Sequence, residues 1–513
     1  GEGVDFVNTR GENRRVYFQH DFITDAFGNQ ISLDIAAPPS KVYAAFLQDT
    51  WRITPRLTLN AGIRYEAEQV QNAREETAID LKNEWQPRVG LVWDWKGDGS
   101  SKVFASFGRF FYILPNDLNV RVYDESIATT TWNYSTTSIE QGGPGTGPPN
   151  RIRLIQGSLA EPTQPNIKGQ YQDEYTIGIE QAVTPTLAVG LKGMYRRWGR
   201  AIEDRCDLDY RDPINGGSTC AITNPGSGEL WAGVGGFNWC DGAGSEFVSP
   251  TAGLCSLDNP EIGPAPSIPA ATRNFWGLEM TARQTFSRNL WAQASYLYSR
   301  LRGNYDGAVR VASGQTDPGI NADYDYPLFS RNADGPLFLD RPHQLRLDAV
   351  YTAPFGLSLA MGAYYRSGAP VSRYGWYNAV YPDLLHLVPR GRDTTVSGGR
   401  LVGEYEANLS LSYSIKAGPV TVTPAVYVFN ILDRQGVTSV NEAFNADGTF
   451  CLNADGCTDA TINPDTGLPD MTSRNFQRLG TVAYGQPLPQ EDWAKPLTRQ
   501  DPRLIRFGLK LEF

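Results

Sequence analysis

Apolar and polar residues alternate through the last stretch of the chain. Ile505, Phe507, Leu509, Leu511 and Phe513 fall on one side, and Arg506, Gly508, Lys510 and Glu512 on the other. A period of two sends successive side chains to opposite faces of a β-strand, so this segment has one greasy and one wet face. The same pattern returns upstream, where Leu57, Leu59, Ala61, Ile63 and Tyr65 interleave with Thr58, Asn60, Gly62, Arg64 and Glu66. About thirteen such strands are predicted, and they come in pairs. Strands over 41–53 and 57–70 flank Thr54-Pro55-Arg56, those over 84–95 and 102–113 flank Gly97-Asp98-Gly99, and those over 171–183 and 187–198 flank Thr184-Pro185-Thr186. Further pairs cover 274–286 with 290–301, 343–354 with 357–366, and 402–415 with 420–430, and 504–513 ends the series. The joining residues are rich in Gly, Pro, Asn, Asp and Ser, the types that reverse a chain tightly.

The connections between pairs are long, at about 69–83, 114–170, 199–272, 302–341, 367–401 and 431–503. Every short turn follows a strand running in the same direction, so the short turns share one rim and the long loops the other. Compact soluble domains rarely carry so many long loops. A bacterial outer-membrane barrel combines short periplasmic turns with long extracellular loops, and a strand of about ten residues crosses a bilayer when tilted. The expected fold is therefore all-β, a transmembrane antiparallel β-barrel, against a soluble sandwich, propeller or adhesin. Aromatic residues gather near strand ends (Trp51, Trp85, Trp93, Trp95, Phe110, Phe111, Trp198, Trp276), as interfacial belts require. Strand propensity accounts for the residue type but not for this placement.

Composition refines this picture. Mean hydropathy over the 513 residues is -0.38, and no apolar run approaches the roughly 18 residues of a membrane helix, yet barrel strands hide their apolar residues in alternation. Net charge is -10, without the basic stripe of a nucleic-acid binder. Only His20, His343 and His386 carry imidazoles, none beside a Ser, Cys or carboxylate in a catalytic pattern. With no phosphate loop, dinucleotide fingerprint or metalloprotease helix, no enzyme is expected.

All six cysteines fall in long loops: Cys206, Cys220, Cys240 and Cys255 in one, Cys451 and Cys457 in another. Even numbers within each loop point to disulfides made in an oxidising compartment. Cys451–Cys457 follows if its loop is self-contained, and Cys206–Cys220 with Cys240–Cys255 is preferred among three pairings. Spacings other than C-x2-4-C argue against zinc. Asn332-Ala333-Asp334-Gly335, Asn445-Ala446-Asp447-Gly448 and Asn453-Ala454-Asp455-Gly456 repeat one theme. These units read as Asx-turns with no cofactor, and calcium in the loops is the alternative.

Several motifs resemble a known family. The hairpin from Tyr43-Ala44-Ala45-Phe46-Leu47-Gln48-Asp49-Thr50-Trp51 to Ile63-Arg64-Tyr65-Glu66 resembles a mid-barrel hairpin of TonB-dependent outer-membrane receptors, above all the Oar-like subgroup. Trp85-Gln86-Pro87-Arg88-Val89-Gly90 with Phe104-Ala105-Ser106-Phe107-Gly108-Arg109 resembles the next. Asp340-Arg341-Pro342-His343 with Pro354-Phe355-Gly356, and Val428-Phe429-Asn430-Ile431-Leu432-Asp433-Arg434, resemble later ones. Terminal Phe513 resembles the signal read by the barrel-assembly machinery. The resemblance implies a barrel of 22 strands in the bacterial outer membrane, filled by an N-terminal plug and energised by TonB. Its inner face would line the substrate path with Arg64, Glu66, Glu174, Glu180, Lys192, Arg196, Glu279, Arg283, Arg346, Asp348, Glu406, Arg506, Lys510 and Glu512.

The departures matter equally. No plug, TonB box or signal peptide is visible, and the chain starts Gly1-Glu2-Gly3, so an exported protein is expected to have lost its original start. Residues 1–40 are a loop or one more strand, and 41–513 form the C-terminal part of the barrel. Strand direction then demands an upward strand before residue 41. Residues 16–23 supply it and close fourteen strands, or the plug and early strands come from a missing N-terminal part or another chain. The functional expectation is substrate uptake through the barrel portion of such a receptor. The alternative is a barrel that anchors surface partners without active transport, and a passive porin is a minor third. Peptide mapping without reduction is expected to find Cys451 joined to Cys457 and no alkylatable thiol among the six cysteines; one labelled thiol would overturn the loop-local pairing.

Overall fold

Thirteen long strands build one antiparallel meander in which each strand bonds to its neighbours in sequence. They are β1 (Ser40–Thr54), β2 (Leu57–Gln71), β3 (Thr77–Trp93), β4 (Ser101–Phe111), β5 (Tyr171–Thr184), β6 (Leu187–Arg200), β7 (Arg273–Ser287), β8 (Leu290–Gly303), β9 (His343–Thr352), β10 (Leu357–Arg366), β11 (Glu404–Tyr413), β12 (Val420–Phe429) and β13 (Leu504–Glu512). Short strands Gly335–Pro336, beside β8, and Ile415–Ala417, beside β12, complete a fifteen-stranded sheet. The computed structural model describes residues 39–71, 77–114, 163–164, 166–205, 221–226, 268–307, 322–324, 330, 332–376, 384–386, 388–442 and 493–512, with short strands at 4–7, 13–16, 22–24, 128–131 and 151–153. Among the described residues there is no α-helix.

Pairing register decides which residues share a face. Leu191 faces Met280, Met280 faces Tyr296, Tyr296 faces Leu345, and Leu345 faces Tyr365 across five successive strands. One position along, Lys192 faces Glu279, and further around Arg346 faces Tyr364. The first row is apolar and exposed, and the second is polar. An exposed apolar face of this extent needs lipid as its solvent, while the other face needs water or protein. A slip of one residue would exchange the two faces, so the alternation itself holds the register.

The short turns reuse one device. Thr54, Thr184 and Ser287 each end a strand, and each hydroxyl accepts a backbone N–H two residues on, at 3.2 Å in all three turns. The ladder shifts register at the same place in each hairpin. The β3–β4 turn instead uses Asp94, which accepts the N–H groups of Gly97 at 2.9 Å and Gly99 at 2.8 Å. Both glycines have positive φ (80° and 76°), which a side chain would strain.

Three expectations change. The connection expected at 69–83 is largely strand, because β2 and β3 run on as a ribbon to Gln71 and Thr77. Val70, Ile79 and Leu81 alternate onto the inner face, but a bulge at Asn83 (φ 63°) resets the period by one residue and hides the pattern. The strand expected over 402–415 ends at Tyr413, and Ile415–Ala417 continues the pairing separately. Of residues 16–23, Asn13–Val16 pairs with Val4–Val7 and Phe22–Thr24 with Ala128–Thr131, so neither lies beside β1. Among the described residues the outer edges of β1 and β13 have no strand partner.

The assignment of faces has a direct check. Leu191→Arg, on the apolar row, is expected to destabilise the protein by about 2–4 kcal/mol, and Lys192→Gln, on the polar row, by under about 1 kcal/mol. Denaturant unfolding in lipid vesicles measures both, and a reversed order would mean that the faces are exchanged.

Candidate functional site

The inner wall carries a ladder of paired charges, most of them set by cross-strand register and one, Arg346 with Asp348, formed within a strand. Lys102 meets Glu180 at 2.9 Å, Lys192 meets Glu279 at 2.6 Å, and Arg346 meets Asp348 at 3.0 Å. Arg366 meets Glu404 at 2.6 Å, and the Tyr364 hydroxyl donates to Glu406 at 3.3 Å. Cations also lie over rings: Arg88 is 4.6 Å from the centroid of Phe110, Lys102 is 5.1 Å from Phe104, and Arg196 is 5.5 Å from Phe275. A groove of about 460 Å³ crosses β1–β5 where Gly62, Gly90 and Gly108 leave the wall bare, bordered by Arg64, Arg88, Phe110 and Glu174. At Gly108 an added Cβ would stand 2.8 Å from the Phe110 ring, so the ring can lie flat only over glycine. The Lys102, Lys192 and Arg346 pairs are half-exposed and contribute about 0–1 kcal/mol each, whereas Glu404 is buried between Arg366 and Arg341. The ladder is thus a wettable, hydrogen-bonding surface rather than a structural clamp.

At the long-loop rim the chain folds back into a second, drier layer. Val70, Ile79 and Leu81 of the ribbon pack with Leu114, Ile167, Ile202 and Ile222. Trp198, Ala201, Ile268, Ala271, Tyr305 and Tyr324 form a neighbouring cluster. Polar groups inside this layer are tied together. The buried Arg390 bonds to Asp306 at 2.7 Å and to Asp323, while His386 Nε2 lies 3.0 Å from the same Asp323. Arg373 grips Asp393 with two bonds of 2.9 Å, and Asp340 accepts the Leu301 N–H at 2.7 Å and pairs with Arg400. Burial holds the Tyr305 and Tyr324 hydroxyls well above their ordinary range. Breaking one partner of a buried pair costs about 3–5 kcal/mol, so these loops form a platform with one shape.

Glu68 stands in the ribbon, three residues past the outward Tyr65–Trp85 ring pair (4.8 Å apart) that ends the membrane-crossing part of β2 and β3. Its carboxylate accepts the Leu114 N–H at 3.0 Å. Burial raises its pKa to about 7; the Leu114 bond opposes the rise and the nearby Glu66 adds to it.

The register places the residues expected to line the inner wall, from Arg64 to Glu512, on one face, and among the described residues no nucleophile is paired with a base there. His343 sits on the outer face at the long-loop rim, sharing a 2.7 Å hydrogen bond with the Tyr296 hydroxyl. The Asn332–Gly335 unit is a turn, with Asn332 at φ 62° and Asp334 bound to Arg302 at 2.6 Å. The other two units lie outside the described residues, as do Cys206, Cys220, Cys240, Cys255, Cys451, Cys457 and Phe513. The Arg390–Asp323–His386 cluster escaped sequence reasoning because Asp323 is over 60 residues from His386 and Arg390, in unpatterned loops.

Comparison with known proteins places these features. A family model described as an outer membrane beta barrel domain matches residues 19–81 and 74–372. The chain is 27% identical over a 567-residue alignment to the TonB-dependent transporter Oar of Myxococcus xanthus, covering 100% of this chain and 47% of Oar. The chain therefore spans about half the length of that curated relative. Among solved structures, the outer membrane transporter YddB of Escherichia coli aligns with TM-score 0.45 at 14% identity, over 78% of this chain and 42% of YddB. The FrpB iron transporter of Neisseria meningitidis aligns with TM-score 0.42 at 11% identity, over 77% and 42% respectively.

Glu68 makes the rim layer sensitive to pH. Its folded pKa of about 7 exceeds the ordinary 4.5, so the folded protein binds the proton more tightly. That stabilisation is complete below about pH 4.5 and is lost as pH rises through 7. Hydrogen exchange at Ile79, Leu81 and Leu114, corrected for intrinsic rates, is expected to show protection falling over this window in the wild type and falling less in Glu68→Gln, where Glu84, raised to about 8 by burial and by the nearby Glu68 and Glu66, still titrates. Protection that rises with pH would reverse the sign and rule the effect out.

Proposed function

The chain belongs to the outer membrane beta barrel domain family, and from that footing we propose that it is the barrel wall of a TonB-dependent receptor that imports a solute. It resides in the bacterial outer membrane, and its relatives are receptors and transporters there. One observation carries the uptake reading: a polar, ion-paired inner face leads to a rigid, ion-locked loop layer at a single rim. Loops locked by buried pairs present a fixed surface to a ligand, and a ladder of weak pairs offers it exchangeable hydrogen-bond partners along the wall. Both are binding surfaces without chemistry of their own.

The open edges of β1 and β13 support further proposed partners. Lipid offers no hydrogen bonds to the exposed N–H and C=O groups of a strand edge, so other strands must cover them. We assign these to the remainder of a longer receptor or to another chain, together with a plug that occupies the inner face and couples to TonB. The barrel-assembly machinery would read the last strand.

In the source bacterium, deletion of this gene and deletion of TonB are expected to leave a shared set of compounds unconsumed in the medium, measured by comparative mass spectrometry of spent medium. A gene deletion that changes surface-attached proteins but leaves every compound consumed would favour the anchoring barrel and refute uptake.

A further inference from the structure

The register aligns a row of polar side chains on the outer face, directly above the apolar zone. Arg109, Asp173, Arg197, Asn274 and Arg302 are successive partners across β4–β8. Two residues nearer the short turns, the next row reads Phe107, Tyr175, Tyr195, Trp276 and Arg300. Below it lie Ala105, Ile177, Gly193, Leu278 and Tyr298, without a charge. Rings pack along and just below the belt, Phe107 tilted against Tyr175 at 4.9 Å and Trp276 T-shaped to Tyr298 at 5.4 Å.

Charge in this region is unbalanced. Arg109 takes both oxygens of Asp173, at 2.7 and 2.9 Å, and Arg302 takes Asp334. Arg197 is exposed and, among the described residues, has no ion-pair partner. Arg300 leans toward the Tyr298 ring at 5.4 Å, and its nearest carboxylate, Asp340, is 4.0 Å away and already bound by Arg400. With Arg400 counted, five arginines therefore face three carboxylates, each already committed to one of them, on a chain whose net charge is -10.

We propose that Arg197 and Arg300 bind the phosphate of a phosphorylated lipid in the leaflet at the long-loop rim. Aromatic belts sit at headgroup depth, so the arginines just above and within this belt meet headgroups, while the rows beneath meet acyl chains. A guanidinium fork matches phosphate oxygens in pairs. Arg197 and Arg300 stand two strands and two residues apart, about 12 Å by strand spacing and rise, a span that a lipid bearing two phosphates can bridge. A free anion would gain nothing from the apolar rows, and a soluble protein partner would have to displace lipid from them.

The test uses the full-length protein in detergent, titrated by native mass spectrometry with lipid A carrying two, one or no phosphates. The two-phosphate form is expected to bind most tightly. Arg197→Gln/Arg300→Gln is expected to lower its affinity about tenfold or more, since each lost charge-assisted bond is worth about one such factor. Arg56→Gln, at the opposite rim, is expected to bind like the wild type. Heat-modifiable gel migration checks folding, and Arg197→Gln alone, which removes an exposed side chain, provides a second variant with a smaller loss. Equal binding of the phosphate-free lipid, unchanged affinity in both variants, or displacement of the lipid by equimolar inorganic phosphate would each overturn the proposal.

Discussion

In hydrocarbon an unpaired backbone N–H or C=O finds no water to bond, and everything else in this structure depends on that constraint. It forces the crossing segments into one continuous antiparallel ladder, from β1 to β13, with each strand bonded to the next in sequence. It makes short turns economical at one rim, since two to seven residues keep adjacent strands in register. It also makes the outer edges of β1 and β13, which have no strand partner among the described residues, the exposed ends of the ladder.

The ladder separates two solvents, and side chains sort accordingly. Leu191, Met280, Tyr296 and Leu345 meet lipid on one face, while Lys192, Glu279, Arg346 and Asp348 line the polar face. No apolar core is needed within the wall, because lipid already accepts its greasy face. The dry clusters appear instead where the loops fold over the rim and water surrounds them, around Ile79 and Leu81 and around Trp198 and Tyr305. There the chain behaves as a small soluble domain does, burying aliphatic side chains and locking Arg390 and Arg373 to carboxylates. The wall and the rim layer thus follow different stability rules within one polypeptide.

Legibility differed between these two regions for that reason. Leu357–Arg366 matches the predicted strand end to end, and most other wall strands agree within two or three residues, because alternation is a local signal repeated at every position. The β2–β3 ribbon was missed because the bulge at Asn83 shifts the period and Asp80 and Lys82 give the segment the look of a loop. The contact of His386 and Arg390 with Asp323 has no local signal, since it joins loops that carry neither periodicity nor spacing.

By itself the sequence determined the strand count of the wall, the two faces and the rhythm of short and long connections, because a period of two and the turn residues act over a few neighbours. The tertiary structure alone decided which distant residues meet: the rows that place Arg197 level with Asp173 and Asn274, and the loop layer that buries Glu68 under Leu114. Those contacts depend on register across strands and on loop closure over long separations. Both are fixed by the summed pairing of many strands, which no single segment encodes.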